Sequence, residues 1–550
     1  MSRSTALLPS AALLLCTLLN TPAAHAQAPF HRMYNAFYGE GRVVRSAPDG
    51  SVFALAYVSG IGDATWSGYG VSLVKYDADL QPVWHQVVKN PTTYGSVDGW
   101  GLAPTSDGGV VFVGSRSLQT TDTLLVVKFS STGTTAWARA LPPPLPPGHT
   151  GIYYTYATDV EEAANGDLLV VGRYTTTPGG LGAHVTKGFV TRFNATGTVL
   201  WSETLVADPD PSHNTSAYDV LPLPEGGVAV LGLTFSGSAY TWLAKLQDDG
   251  TVVWCTQTAL MQGMFPSRPT RVFRTAAGFD VLYQTGSTHP SLGCLAHLDA
   301  TGNFLSAQRY DMPGMVTYNS DISPVSTGGY ILTGVAYAVG DPNYLQDIEA
   351  LRIAADGTVI WAVGLGSDLS EQGMSGTQMA DGGFLFQGSA AYADLDDYRG
   401  TSPRVLLIKT DADGTFAGCG RTMEATVSDT TLTSVNMTLL ATPLPGWAPS
   451  TLGTISWLES VDVCISTGVA ERSSSPFTVG PNPASKDLTV RGGSGTWTHE
   501  LLDATGRVLL RGSSSASSFT LDVSGVAPGR YVLRSTNANA VHGTAVLVVR

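Results

Sequence analysis

Three carboxylates are packed into the stretch Ala393-Asp394-Leu395-Asp396-Asp397-Tyr398. A hard cation such as calcium draws its oxygen ligands from a single loop in this way, so Asp394, Asp396 and Asp397 are the candidate metal ligands. A solvated acidic loop uses the same residues and is the simpler reading. Asp411-Ala412-Asp413-Gly414 opens like a calcium loop but lacks the acidic ligands that should follow, so it reads as a turn. A second set of candidates is aromatic. Trp66, Tyr69, Trp100, Tyr153 and Tyr154 lie mostly in connecting stretches with few charges around them. Such rings stack on sugars or peptides and bond through their polar tips, which makes these five the candidate ligand-binding residues. The same rings could instead fill gaps between structural units.

Other chemistry is missing from the sequence. There is no HExxH, CxxC, GxSxG or P-loop, and the histidines are scattered without ligand spacing. Catalytic pairs drawn from separate loops leave no such trace, so the enzyme question stays open and no organic cofactor is called for. The formal net charge of −14 argues against a nucleic-acid partner, whose phosphates need a basic face.

The first residues read as a targeting segment. Arg3 precedes the apolar run of Ala6 to Leu19, and Ala24-His25-Ala26 fits a small-x-small cleavage site, so residues 1–26 are expected to be a signal peptide. No later stretch is apolar for long enough to form a membrane-spanning helix. Export permits disulfides, and Cys255, Cys294, Cys419 and Cys464 follow the signal. Four cysteines allow three pairings. Cys419 with Cys464 is preferred because it would staple a tail segment to the end of the preceding array, and Cys255 with Cys294 follows by elimination. Buried free thiols are the other reading.

The elements that must position these residues come from a repeat. The phrase Phe193-Asn194-Ala195-Thr196-Gly197-Thr198-Val199-Leu200-Trp201 recurs in related form seven times, ending at Trp84, Trp137, Trp201, Trp254, Ser306, Trp361 and Gly418. A second phrase alternates with it, as in Thr105-Ser106-Asp107-Gly108-Gly109-Val110-Val111, a Gly turn followed by an apolar β-rich run. Each unit resolves into four short strands, with Asp or Asn opening the tight turn between the third and fourth and Gly supplying the positive φ. Seven four-stranded units without helical periodicity predict an all-β fold, a seven-bladed β-propeller over 27–420. The seventh unit lacks its last strand, and Phe30–Gly39 precedes the first, so the N-terminal segment is expected to complete the seventh sheet and remove an open edge. The stretch 421–466 carries no repeat phrase and reads as a cap with two short strands, around 432–440 and 454–463.

The repeat resembles those of several propeller families. Ala195-Thr196-Gly197 with Trp201 is similar to quinoprotein repeats, although the turn is one residue shorter, and Asp-box turns place their aromatic one residue earlier. The nearest resemblance is to the Gly-Gly strands and Gly-x-x-x-Trp turns of uncharacterised secreted bacterial propellers, over about 30–420. It implies a scaffold and no particular activity.

After a linker at 467–475 the character changes. Alternating apolar strands separated by Gly, Pro and Asp turns predict a small Ig-like β-sandwich over 476–550. Its sequence resembles the type A C-terminal sorting domain of the type IX secretion system of Bacteroidetes. The matching pieces are Pro481-Asn482-Pro483-Ala484, Asp503-Ala504-Thr505-Gly506-Arg507, Gly529-Arg530-Tyr531-Val532-Leu533 and the terminal strand ending at Arg550. The resemblance implies that Pro481, Asn482, Pro483, Gly529 and Tyr531 carry the sorting motif. It also implies a type IX machinery partner, export across the outer membrane, and removal of the module with release or surface attachment. The expected function is a non-catalytic glycan- or protein-binding scaffold at the cell surface or outside the cell. The alternative is a secreted polysaccharide hydrolase or lyase using acidic residues from the loops.

Overall fold

In the computed structural model, residues 28–34 and most of 38–464 and 477–548 are described. Residues 1–27, 60–68, 90–95, 142–148, 393–401, 417–419 and 465–476, with some shorter loop and strand-end segments, lie outside that description. The chain divides into two compact units, Met1–Ile465 and Ser466–Arg550.

The first unit is built of antiparallel sheets that follow one another along the chain. Six hairpin-connected four-strand groups occupy 38–89, 96–141, 149–207, 214–259, 266–311 and 315–365, here numbered sheets one to six. Sheet seven takes three strands from 370–410 and its fourth from Phe30–Tyr34, which pairs with Ser402–Thr410. The expected N-terminal pairing is therefore present, but it is shorter than expected. Tyr38 and Gly39 already belong to the first strand of sheet one.

Each sheet shares a buried core with the next, and sheets one and seven share one as well. Second strands such as Val52–Ser59 are buried on nearly every residue, as strands covered on both faces must be.

The recurrent phrase is the joint between neighbouring sheets. Asn194 Oδ1 accepts from Thr196 N at 3.1 Å and Thr198 N at 2.9 Å, which forms the turn, and Gly197 sits at φ 77°. Trp137, from the phrase one sheet earlier, lies on that glycine. A Cβ on Gly197 would come within 2.6 Å of its ring, and the indole N–H donates to Ala195 O at 3.0 Å. Trp84 meets Gly133, Trp201 meets Gly250, Trp254 meets Gly302 and Trp361 meets Gly414 in the same way.

The joint between sheets seven and one is built differently. Phe30 stands opposite Lys409 where Trp84 stands opposite Lys75, and Leu80 (φ 53°, buried) replaces the turn glycine. Phe30 packs against the core that holds Leu80. Here a phenylalanine and a leucine stand where five other joints put a tryptophan and a glycine, and at the joint between sheets five and six Gln308 meets Gly357 instead of a tryptophan.

The stretch after 420 corrects the two-strand cap expected from sequence. Six short strands each add to the outer edge of a different sheet. Gly420–Thr422 joins sheet six, Thr426–Thr430 sheet five, Thr433–Asn436 sheet four, Leu439–Pro443 sheet three, Gly453–Ile455 sheet one and Val461–Cys464 sheet seven. Arg421 anchors the start through an ion pair with Asp347 at 2.5 Å.

The expected Cys255–Cys294 bridge is not formed. Both are free, buried thiols in different cores, Cys255 between sheets three and four and Cys294 between four and five. Burial pushes Cys294 up to about 12. Cys419 lies outside the described residues, and of Cys464 only the backbone is described, opposite His31.

The second unit has a three-stranded sheet (Phe477–Gly480, Asp487–Gly492, Ser518–Asp522) and a four-stranded one containing Trp497–Leu502 and Gly529–Thr536. They enclose a core of Leu488, Val490, Trp497, Leu501 and Leu533. Among the described residues no helix is long and apolar enough to cross a membrane.

Candidate ligand-binding site

The first strand of every sheet in the first unit carries a register shift at the same place, from Gly41/Val43 in sheet one and Gly99/Gly101 in sheet two to Gly373/Ser375 in sheet seven. A β-bulge leaves one residue unpaired and re-aims its side chain. In sheets one, two and four that residue is Arg42, Trp100 and Tyr218. Glycine flanks Trp100 because the strands there are tightly packed. A Cβ on Gly101 would lie 2.7 Å from the Asp159 backbone.

These bulged residues meet side chains from neighbouring strands, at the end of the sheets away from the Gly turns. The Arg42 guanidinium lies 4.2 Å from the Trp100 ring and 5.4 Å from Tyr57. Tyr57 stacks on Tyr69 at 5.2 Å with an interplanar angle of 8°. Farther along, Tyr154 and Tyr156 lie 5.2 Å apart, and Arg173 sits over both Tyr156 and Tyr218, donating to the Tyr218 hydroxyl at 2.9 Å. Asp98 links the two groups, since its charge acts on both Tyr57 and Tyr156.

The structure therefore brings together Tyr69, Trp100 and Tyr154 of the sequence candidates and adds Arg42, Tyr57, Asp98, Tyr156, Arg173 and Tyr218. Tyr153 is in the strand His149–Glu162, but its side chain is outside the described residues, as are Trp66, Asp394, Asp396 and Asp397. Among the described residues no group of three or more His, Cys, Asp or Glu is arranged to hold a metal ion.

Burial raises the Asp98 carboxyl, with Arg42 opposing, and burial raises Asp122 as well. Tyr57 and Tyr156 are pushed up, first by burial and then by these carboxylates. Four buried polar atoms of the patch have no hydrogen-bond partner among the described residues: Arg42 Nε, Asp98 Oδ1, Trp100 Nε1 and Arg173 Nε. The Trp100 indole acts on the Asp98 carboxyl and opposes its rise. Buried polar atoms are nearly always satisfied, so four orphans within one aromatic patch require an explanation.

A second charged cluster follows the bulges. Arg45 bonds Asp321 at 2.7 and 3.3 Å and Ser375 Oγ at 2.9 Å. Ser375 Oγ donates to Asp321 at 2.5 Å and accepts from Val44 N at 3.1 Å. Arg271 pairs with Glu161 at 2.7 Å and lies 3.4 Å from Asp219. Asp219 accepts from Val272 N at 2.5 Å, and Asp159 accepts from Val220 N at 3.3 Å. Ser375, Asp159 and Asp219 each cap a backbone N–H of the following sheet, which stitches the first strands together. Burial and neighbouring acids raise Asp159, and burial pushes Glu161 up to about 7 against the pull of Arg271. The recurrence Thr-Asp-Val, Tyr-Asp-Val and Ser-Asp-Ile at 158–160, 218–220 and 320–322 is the sequence signal that could have revealed this set.

In the second unit Gly529 opens its strand, and the Tyr531 hydroxyl donates to Ala527 O at 2.7 Å. Pro481, Asn482 and Pro483 lie outside the described residues. Residues 478–550 match the family model described as a secretion system C-terminal sorting domain. The match marks the protein for the type IX route to the cell surface or the extracellular space. No curated protein matches the chain. Among solved structures, a Dyadobacter fermentans protein of unknown function is similar at 14% identity, covering 59% of this chain and 97% of that one with a TM-score of 0.38. PorZ, a bacterial surface component of the type IX secretion system of Porphyromonas gingivalis, is similar at 9% identity, covering 95% and 100% with a TM-score of 0.18. Likeness at these scores carries neither fold nor function.

Proposed function

We propose that the seven sheets form a seven-bladed β-propeller, exported by the type IX system, that holds a glycan on the face bearing Arg42, Trp100 and Tyr156. The propeller reading is supported by the recurrent Trp-on-Gly joint, by the core shared between sheets one and seven, and by the N-terminal strand in sheet seven. The ligand reading rests on one observation, the four orphan polar atoms gathered among aromatic rings. Aromatic faces with nearby donors and acceptors are what a sugar ring requires. The charged cluster behind them is occupied in joining sheets, which favours binding over catalysis there. A hydrolase reading would draw on Asp98 and Asp122, both raised and both beside Tyr156.

A glycan-array screen paired with a hydrolysis assay on the purified secreted protein tests this. Binding that is weakened by Trp100→Ala, without turnover, is expected. Turnover lost in Asp98→Asn replaces the proposal with the hydrolase. Failure to bind any glycan, or binding indifferent to Trp100, overturns the proposed site.

A further inference from the structure

Near its Gly turns, sheet five departs from the other sheets at three places on one row. In the other six sheets the row across the second, third and fourth strands reads apolar residue, cation, aromatic. It is Phe53–Lys75–Trp84 in sheet one and Ile331–Arg352–Trp361 in sheet six. In sheet five it is Asp280–His297–Ser306. Residues directly opposite each other on antiparallel strands share a face, so the three side chains stand side by side. His297 Nδ1 bonds Asp280 Oδ1 at 2.6 Å, and Asp280 Oδ2 accepts from the Tyr330 hydroxyl at 2.6 Å. The Asp280 side chain is 9% exposed and the imidazole 25%. Ser306 is exposed.

With its Nδ1 hydrogen given to Asp280, the neutral imidazole keeps a lone pair on Nε2, on the ring edge opposite the aspartate and on the side where Ser306 stands. The same bond raises the basicity of the ring against the effect of burial. An exchanged ion pair would account for His297 and Asp280, since cations of other sheets also meet acids, as Lys409 meets Asp381. It leaves unexplained the exposed serine in the tryptophan's place. We propose that sheet five carries an esterase centre, in which Ser306 is the nucleophile, His297 the base, and Asp280 with Tyr330 the groups that position the ring. Ser306 and His297 are paired across the strands without a hydrogen bond between their side chains, and catalytic hydrogen bonds often close only around substrate. Ser306 Oγ attacks the ester carbonyl carbon while His297 Nε2 takes the hydroxyl proton. The C–O bond to the alcohol then breaks, and the imidazolium gives that proton to the leaving oxygen. Water, deprotonated by the same nitrogen, splits the acyl-serine, which releases the acid and restores the Ser306 hydroxyl. Gln308 lies two residues on and faces the same way. Its Oε1 accepts from the Tyr310 hydroxyl at 3.4 Å, and its amide N–H is left to the oxyanion. One such donor beside an open serine suits an ester, whose alkoxide leaves more readily than an amine.

The test gives the full-length protein p-nitrophenyl butyrate and, separately, diisopropyl fluorophosphate, which loses fluoride to an activated serine oxygen. Hydrolysis is expected, with a phosphoryl adduct mapped to Ser306 by peptide mass spectrometry. Ser306→Ala, at an exposed position, should remove both, and thermal melts check that it and the other variants fold. His297→Gln should slow both by at least about a hundredfold. Asp280→Asn should lower kcat with KM held, which loss of a merely structural aspartate would not do. Absence of hydrolysis or of the adduct overturns the proposal. Hydrolysis that survives Ser306→Ala, or an adduct that forms as fast in His297→Gln, overturns it as well. Neither probe carries a sugar, so the result is independent of the glycan reading.

Discussion

Gly197→Ala should destabilise the protein through a single neighbour, Trp137. Two costs combine. An L-residue at φ 77° pays for the left-handed conformation, about 1–2 kcal/mol. The new methyl would also stand 2.6, 2.7 and 2.9 Å from three ring atoms of Trp137. That indole is held by its bond to Ala195 O and by its stacking with Phe193 at 6.4 Å, so it cannot slide aside freely. Overpacking of this kind costs about 1–3 kcal/mol, giving about 2–5 kcal/mol in all. Gly166 provides the control. It has φ 83°, but a Cβ there meets only Ala195 Cβ, at 3.9 Å. Gly166→Ala should therefore show the backbone cost alone. Urea unfolding midpoints of both variants, each repeated in a Trp137→Leu background, complete the cycle. Removing the indole should bring Gly197→Ala down to the Gly166→Ala value. A Gly197 cost that is unchanged without Trp137, with coupling below about 0.5 kcal/mol, would refute the joint as the reason for the glycine.

Glu349 is buried between sheets five and six with Oε2 unpartnered, and burial pushes it up to about 8. Its folded value lies above its unfolded one, so its contribution to stability falls as pH rises from about 4.5 towards 8. Glu349→Gln should flatten that loss by about 2–4 kcal/mol between pH 5 and 8; parallel pH profiles of the two proteins would contradict it. Deleting Phe30–Tyr34 unpairs five residues of sheet seven on one side and the Val461–Cys464 strand on the other. A clear drop in melting temperature is expected, and an unchanged one would show that this strand is dispensable. Cys419 immediately precedes the tail strand on sheet six and Cys464 ends the one on sheet seven, so we propose that they are bridged. Non-reducing peptide mapping that finds both as free thiols removes that bridge. Cys255 and Cys294 should resist thiol reagents until the protein unfolds, and rapid labelling of the native protein would contradict their burial.

The repeated sheets were legible because turn chemistry and Trp placement are local and recur at a fixed spacing. Phe30 was harder to read, since its role depends on standing opposite Lys409 at the far end of the chain. Tyr69, Trp100 and Tyr154 announced themselves as aromatics outside the repeat. Arg42, Asp98 and Arg173 did not, because a bulge and cross-strand neighbours, not sequence spacing, bring them to those rings. The tail strands are three to five residues long, too short for any periodicity, and an existing sheet edge decides their pairing. His297 shows a similar gap. It occupies the place of Lys75 or Lys409 in other sheets, yet bonds Asp280, which also takes the Tyr330 hydroxyl from the next sheet.

The tail also sets how the first unit answers a pull. Its six strands are added in the order six, five, four, three, one, seven, against the order in which the sheets were made. Tension applied beyond Ile465 falls first on Val461–Cys464 alone, then on Gly453–Ile455, and so on back towards Arg421. The load is met by one short ladder at a time. Losing the first ladder bares the outer side of Phe30–Tyr34, so a force on the C-terminal end reaches the N-terminal strand before it reaches any sheet interior.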